Sequence, residues 1–152
     1  MPRHPAAKIG RNGSSDFQSR FPVHIEWKDS YKIGNDEIDA QHQEWFRKIN
    51  NFLEATDIES MARCEAQMYQ YTRVHFKHEE TLMRAVNYPE FHEHIQKHHE
   101  MLAHINTMSA QIADFTIDRS KWRTFLSEWL LDHIAKTDSK LAAYVDHPET
   151  SR

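Results

Sequence analysis

One short segment, His75-Phe76-Lys77-His78-Glu79, places an imidazole and a carboxylate four residues apart. On an α-helix, such a pair lies on one face, about 40° apart around the axis. The same face carries apolar residues before and after the pair, so both polar groups continue an apolar stripe. Buried polar groups need partners, and a metal ion is one partner that could satisfy both. A metal site is therefore the first hypothesis, and the other helices must support it.

Further histidines and a second carboxylate fall on the inward stripes of the other predicted helices. Any one of these histidines alone is more typical of a hydrogen-bonded core residue than of a ligand. Because they occupy inward positions on the predicted helices, these residues indicate, together with the first pair, a metal centre built from four helices. The candidate metal ligands are His42, His75, Glu79, His94, His98, His133 and Asp138.

The spacing of Asp138 does not fit an ideal helix, because it follows His133 by five residues, about 140° around the axis. Either a second apolar row, formed by Leu126, Leu130 and Ile134, widens the stripe, or the helix itself widens locally. Both alternatives would bring the two groups to one site.

Five imidazoles and two carboxylates are too many ligands for one ion. Two ions could share both carboxylates as bridges, together with one solvent oxygen. An ion with three histidines would then have six ligands, and an ion with two would have five and one open position. Imidazole and carboxylate suit iron, manganese or zinc, and six-coordination disfavours structural zinc. Two adjacent redox metals with one open position can bind a small diatomic ligand.

Four long amphipathic helices are predicted to position these residues. They run from about Asp36 to Glu54, from a Thr56-x-x-Glu59 capping box to about Ala85, from about Pro89 to Ala113, and from about Arg119 to Val145. Gly34-Asn35-Asp36 should break and cap the chain before the first helix, and Asp118 should cap the last. The short links favour an all-α, up-down-up-down four-helix bundle.

The bundle is expected to fill residues 23–145 and to begin with an extended arm that packs Ile25 and Trp27 across it. Residues 1–22 are rich in Gly, Ser, Asn, Arg and Pro without periodicity, so we interpret them as a flexible extension. Residues 146–152 should form a C-terminal tail.

The composition narrows the classes of function. A net charge of −4 at pH 7 offers no electrostatic basis for nucleic-acid binding, and we see no signal segment or membrane-spanning run. The one cysteine, Cys64, excludes an internal disulfide and is compatible with a reducing compartment. We therefore expect a cytoplasmic monomer without nucleic-acid or membrane partners.

The motif spacings resemble the hemerythrin family, and its bacterial members most closely. The resemblance covers roughly Ile25 to Tyr144, and as a set its motifs are highly specific. They are Trp27 with Gly34, Ile38-Asp39-Ala40-Gln41-His42, the segment from His75 to Met83, Tyr88-Pro89 with His94-x-x-x-His98, and Trp129-Leu130-x-x-His133-Ile134-x-x-x-Asp138. The five-residue step to the last aspartate is the family's own spacing.

The resemblance implies a non-haem di-iron centre with an oxo or hydroxo bridge. Three histidines would bind one iron, two would bind the other, and both carboxylates would bridge: His94, His98 and His133; His42 and His75; Glu79 and Asp138. Dioxygen would bind end-on at the five-coordinate iron and be held as a peroxide. The implied function is reversible dioxygen binding for storage, delivery or sensing, and an unidentified oxygen-consuming enzyme is a conceivable partner.

A second function class is a di-iron enzyme or sensor that acts on dioxygen, nitric oxide or peroxide. Ferritin-like di-iron oxidases use Glu-x-x-His pairs, which this chain lacks at its inward positions. A histidine-rich shell carries less anionic charge and should disfavour highly oxidised iron, so binding is favoured over catalysis.

The remaining candidate residues have mainly structural interpretations. Trp45, Phe46, Leu102 and Leu131 are core positions whose second role would be to keep the dioxygen pocket dry. Glu80 is expected at the surface. Four spare histidines should be solvated: His78, His92, His99 and His104.

Overall fold

The computed structural model describes residues 24–147, which form an all-α four-helix bundle preceded by an extended arm. Short loops connect the helices, so successive helices run antiparallel, as expected from the sequence. The helices are α1 (Asp36–Glu54), α2 (Ile58–Ala85), α3 (Phe91–Ala113) and α4 (Arg119–Asp132), and a π-helical segment (His133–Asp138) joins α4 to α5 (Ser139–Asp146). The predicted extension, residues 1–22, and residues 148–152 of the predicted tail lie outside the described residues.

Two of the predicted caps are present. Gly34 has a φ of 90° and turns the chain before α1, where Asn35 Oδ1 accepts a hydrogen bond from the Ile38 amide at 3.0 Å. The side chain of Asp118 accepts from the Lys121 amide at 3.1 Å and so begins α4. These caps fix where α1, which carries His42, and α4, which leads into His133, begin.

Two helix starts differ from the sequence expectation. Asp57, not Thr56, caps α2, because its carboxylate accepts from both the amide and the hydroxyl of Ser60, each at 2.8 Å. The third helix begins at Phe91, two residues after Pro89. Asn87 has a φ of 50°, and this left-handed residue turns the chain before the helix.

The interior consists of two hydrophobic clusters with a polar layer between them. The larger cluster fills the side of the bundle that holds the α1–α2 loop, and its largest side chains include Trp45, Phe46, Phe52 and Phe76. The smaller cluster is built around Met83, Tyr88 and Leu141. In sequence, the buried histidines of α2, α3 and the π-helical segment all fall between members of the two clusters. Hydrophobic packing on both sides therefore positions the polar layer.

None of the helices within residues 24–147 combines the length and hydrophobicity needed to cross a membrane.

The N-terminal arm is anchored to α1 by a buried asparagine. Asn50 Oδ1 accepts from the Ile25 amide at 2.7 Å, and Asn50 Nδ2 donates to the Ile25 carbonyl at 2.8 Å. Trp27 then packs edge-on against Phe46, with ring centroids 5.1 Å apart. The arm thus closes one side of the larger cluster, as the sequence predicted.

Replacing Asn50 by alanine should release this arm. The change removes two buried hydrogen bonds, so we expect the free energy of unfolding to fall by about 1–3 kcal/mol. Denaturant titration followed by tryptophan fluorescence would measure the loss, because Trp27 lies in the arm. Asn51→Ala, one position along the same helix, is the control and should change stability by less than about 0.5 kcal/mol. Equal stability of the two variants would contradict the anchoring role.

Candidate metal centre

The structure brings all seven predicted ligand residues together in the polar layer. Their side chains are at most 2 % exposed. Two groups of ligand atoms, each within 4.8 Å of one another, share both carboxylates: Glu79 and Asp138 with His94, His98 and His133, and the same two with His42 and His75. The cluster therefore fits a metal site.

Each carboxylate directs one oxygen toward each group of histidines. Glu79 Oε1 lies 3.1 Å from His75 Nε2, whereas Glu79 Oε2 lies 3.0 Å from His98 Nε2. Asp138 Oδ2 lies 2.9 Å from His42 Nε2, whereas Asp138 Oδ1 lies 3.1 Å from His133 Nε2. Two carboxylates that each face both groups of histidines have the arrangement of bridging ligands.

His94 lies between the two carboxylates. Its Nε2 is 3.2 Å from Glu79 Oε2 and 3.1 Å from Asp138 Oδ1. Both of these oxygens belong to the group with three histidines. All five inward histidines therefore present Nε2 to the carboxylates.

Several of these inward atoms are close to one another without forming hydrogen bonds. Among the described residues, the buried atoms without a hydrogen-bond partner include His75 Nε2, Glu79 Oε1, His98 Nε2, His133 Nε2 and Asp138 Oδ1. Polar atoms buried without partners are costly. Octahedral bonds of about 2.1 Å place neighbouring ligand atoms roughly 3.0 Å apart, which is close to the separations observed here. The spacing of these donor atoms therefore suits binding to a common cation better than hydrogen bonding to one another.

The π-helical segment explains how Asp138 reaches the site. In this segment the backbone hydrogen bonds connect residues five apart, so His133 and Asp138, its first and last residues, come to the same side of the helix. Of the two alternatives left open by the sequence, local widening of the helix is the one observed. Such segments occur frequently at functional sites.

Two residues outside the predicted set orient the histidines. His75 Nδ1 donates to Gln41 Oε1 at 2.6 Å, which leaves Nε2 free to face the site. His98 Nδ1 lies 3.4 Å from Glu80 Oε1, which has the same effect. Glu80 is partly exposed, with 23 % of its side chain accessible, yet its carboxylate contacts a buried imidazole, a role that the sequence did not predict. Acceptors on the outer nitrogen hold a ligating histidine in the required tautomer.

Aromatic rings enclose the site. Phe76 stacks on His98 with centroids 3.7 Å apart, and Trp129 stacks on His133 at 4.4 Å. Trp45 packs against His75, with ring centroids 5.2 Å apart. These rings replace water around the imidazoles.

Of the four residues predicted to line a dioxygen pocket, Trp45 is the one in ring contact with site histidines. Phe46 packs on Trp27 and Tyr31 of the arm. Leu102 and Leu131 each line a surface groove. A role for the whole set in a dioxygen pocket stays a prediction.

The spare histidines lie outside the cluster. His78 is partly exposed, with Nε2 3.5 Å from Glu37 Oε1, and His92, His99 and His104 are exposed. The neighbours His78 and His99 therefore do not replace His75 or His98 in the polar layer.

Burial and proximity set the protonation of the cluster. Burial opposes the charge on Glu79 and Asp138, yet the surrounding imidazoles hold the pKa of both carboxyls well below their usual range. Burial likewise disfavours a charged His94, but the two carboxylate oxygens within 3.2 Å of its Nε2 raise its pKa from 6.5 to about 9. Without a metal, protonated imidazole therefore balances the carboxylates at neutral pH.

Comparisons with known proteins indicate the same family that the sequence motifs resemble. The sequence pattern of the Hemerythrin HHE cation binding domain matches residues 33–145. Myohemerythrin of Riftia pachyptila is 31% identical over 119 residues, which cover 78% of this chain and 92% of that protein. Bacteriohemerythrin of Stenotrophomonas maltophilia is 31% identical over 125 residues, 80% of each chain.

The fold comparison agrees. A crystal structure of wild-type hemerythrin superimposes with a TM-score of 0.71, at 20% sequence identity, over 78% of this chain and 95% of that one. Matching sequence pattern, relatives and fold together confirm the resemblance found in the motifs, and the chain belongs to the hemerythrin family.

Proposed function

We propose that this protein binds two iron ions in the polar layer and, with them, binds dioxygen reversibly. The observation that carries the proposal is the pair of buried carboxylates, each of which turns one oxygen toward three histidines and the other toward two. Relatives named myohemerythrin and bacteriohemerythrin support the same assignment.

The proposed ligands divide unequally between the two ions. Glu79 and Asp138 would serve both, and the remaining ligands would be His94, His98 and His133 on one side and His42 and His75 on the other. Imidazole nitrogen with carboxylate oxygen suits iron. Iron held by these residues would supply the electrons for reversible dioxygen binding, and the side with two histidines has one protein ligand fewer, which would leave room for dioxygen.

The residues of the chain have three tasks around the ions. The side chains of Gln41 and Glu80 hold His75 and His98 with Nε2 inward. The rings of Trp45, Phe76 and Trp129 exclude water from the imidazoles. A dry site would slow the arrival of protons and water, which would otherwise release the dioxygen as hydrogen peroxide and leave both irons ferric.

We further propose that the protein is a binder and not an enzyme. Five neutral imidazoles and two carboxylates give the site little anionic charge. Low anionic charge disfavours the highly oxidised iron that oxygen-activating enzymes use. Storage, delivery and sensing all require this same reversible binding.

Metal analysis combined with an optical titration from anaerobic to aerobic conditions tests the proposal. We expect two irons per chain and a visible absorption band that appears with dioxygen and disappears on deoxygenation. One metal per chain, or rapid turnover of dioxygen or peroxide without a reversible band, would contradict reversible binding.

Replacing His42 by alanine should abolish dioxygen binding. The change removes one of the two histidines from the side that holds the open position, so iron content should also fall toward one per chain. His78→Ala is the matched control, because this histidine lies outside the cluster, and it should retain full metal content and the reversible band. Full dioxygen stoichiometry in the His42→Ala protein would exclude this side as the binding position.

Gln41→Leu tests the orientation of His75. Loss of the acceptor on Nδ1 should weaken metal binding by about 10- to 100-fold, since outer acceptors of ligating histidines have effects of this size. Competition with a chelator would measure the affinity, and the exposed Gln43→Leu serves as the control. If both variants bound metal equally tightly, the hydrogen bond would have no role in the site.

The stability of the metal-free protein should depend on pH, whereas the stability of the metal-loaded protein should not. The raised pKa of His94 contributes stability that is complete below pH 6.5 and is lost as pH rises to about 9. Its free energy of unfolding should therefore fall across this window, whereas a bound metal, which replaces the proton, should remove the dependence. Denaturant titrations of both forms at several pH values would measure it. Identical profiles would be evidence against proton displacement by metal.

A further inference from the structure

A groove of about 500 Å³ runs along the outer surface between α2 and α3, on the far side of Phe76 and His98 from the candidate irons. Its walls combine cationic and apolar side chains. The cationic residues are Arg73, Lys77 and Arg84, with His99 opposite them, and the apolar ones are Val74, Phe76 and Leu102. Val74 is 57% exposed, an unusual exposure for an aliphatic residue in this protein. We call this surface the α2/α3 groove.

The arginines and the lysine of the α2/α3 groove form no ion pairs, although one carboxylate, that of Glu80, also lines the groove. Within residues 24–147, no carboxylate oxygen lies within 4.0 Å of the charged nitrogens of Arg73, Lys77 or Arg84. Instead, Arg73 lies over the ring of Tyr69 and Arg84 over the ring of Phe91. The chain has a net charge of −4, so this group of unpaired cations makes the groove a locally positive surface on a negatively charged protein.

Two of the three lysines on the surface beside His94 are paired with carboxylates. Lys136 lies 2.7 Å from Asp132, and Lys140 lies 3.5 Å from Glu90, whereas Lys97 donates to Thr137 Oγ1 at 3.0 Å. The surface near His94 should therefore attract an anionic partner more weakly than the α2/α3 groove does.

The α2/α3 groove is separated from the candidate iron ligands by a single layer of side chains. Phe76, which lines the groove, is parallel to the His98 ring within 4° at a centroid distance of 3.7 Å. Glu80, which also lines it, contacts His98 Nδ1 at 3.4 Å. A partner seated in the groove would lie one aromatic ring away from a proposed iron ligand.

We propose that the α2/α3 groove docks an acidic one-electron carrier protein, which returns oxidised iron to the ferrous state. This inference rests on the proposed function, because a dioxygen binder that has been oxidised to the ferric state must be reduced before it binds again. Two successive carriers each lose one electron, and the two ferric ions become ferrous. Unpaired cations steer an anionic partner, and small contact areas are typical of electron-transfer encounters.

Binding of a carrier to the metal-free full-length chain is the first test. A flavodoxin, an acidic flavin protein, serves as the probe, and titration at low ionic strength gives the affinity. The double variant Arg73→Glu, Lys77→Glu should bind at least tenfold more weakly. Amide signals of α2 and α3 should shift in the wild-type protein on titration, and added salt should weaken the complex.

The control is the double variant Arg63→Glu, Lys121→Glu, which changes the net charge equally at exposed positions outside the groove. It should lose less than about threefold in affinity. Equal losses in the two double variants would overturn the proposal, because the effect would then follow overall charge. Tighter binding of a duplex DNA probe than of flavodoxin would overturn it as well. Arg73→Gln with Lys77→Gln, a milder change, should give an intermediate loss.

Reduction of the iron-loaded ferric protein is the second test. Reduced flavodoxin should reduce the groove variant at least tenfold more slowly than the wild type, whereas a small neutral hydroquinone should reduce both equally. Equal rates with flavodoxin would overturn the electron-entry role. Failure to load iron would contradict the proposed function alone, since the docking measurement uses the metal-free chain.

Discussion

Two carboxylates buried without a lysine or arginine partner set the main constraint on this bundle. Glu79 and Asp138 are fully buried on different helices, and both keep a depressed pKa. Charges in such a place are tolerated only when other groups balance them. Imidazoles from all four helices of the bundle supply that balance, so the helices must meet in register at this layer. Hydrophobic packing on both sides, in turn, keeps the layer dry.

The groups around the ligands matter as much as the ligands. Gln41 and Glu80 come from α1 and α2 and fix imidazoles on a neighbouring helix. Phe76 stacks on the ring of His98, and Trp129 stacks on the ring of His133. His75, His98 and His133 are thus each held by a contact to the outer nitrogen or to the ring face.

The sequence predicted those features that depend on local chemistry and periodicity. The bounds of α1 were predicted correctly because Gly34 and Asn35 are strong local signals. The inward positions of the histidines and of Glu79 followed from helical phase, whereas the position of Asp138 depends on the π-helical segment. The contacts of Glu80 and Gln41 with site histidines were not predicted, since their partners lie 18 and 34 residues away. Asn50 was missed for the same reason. Asn50 acts through hydrogen bonds to the N-terminal arm, 25 residues earlier in the chain, and no helical pattern reveals these bonds.

The π-helical segment His133–Asp138 has a consequence for the evolution and engineering of the last helix. A regular α-helix through these positions would turn Asp138 and Leu141 about 140° and about 80° away from His133. The widened turn takes up one residue, so both side chains return to the interior. Deleting one residue within the segment would restore the four-residue spacing of a regular helix and leave the residues that follow in nearly the same orientation. Designers who transplant this centre into an idealised bundle must therefore either copy the irregularity or shorten the step between the two ligands by one residue.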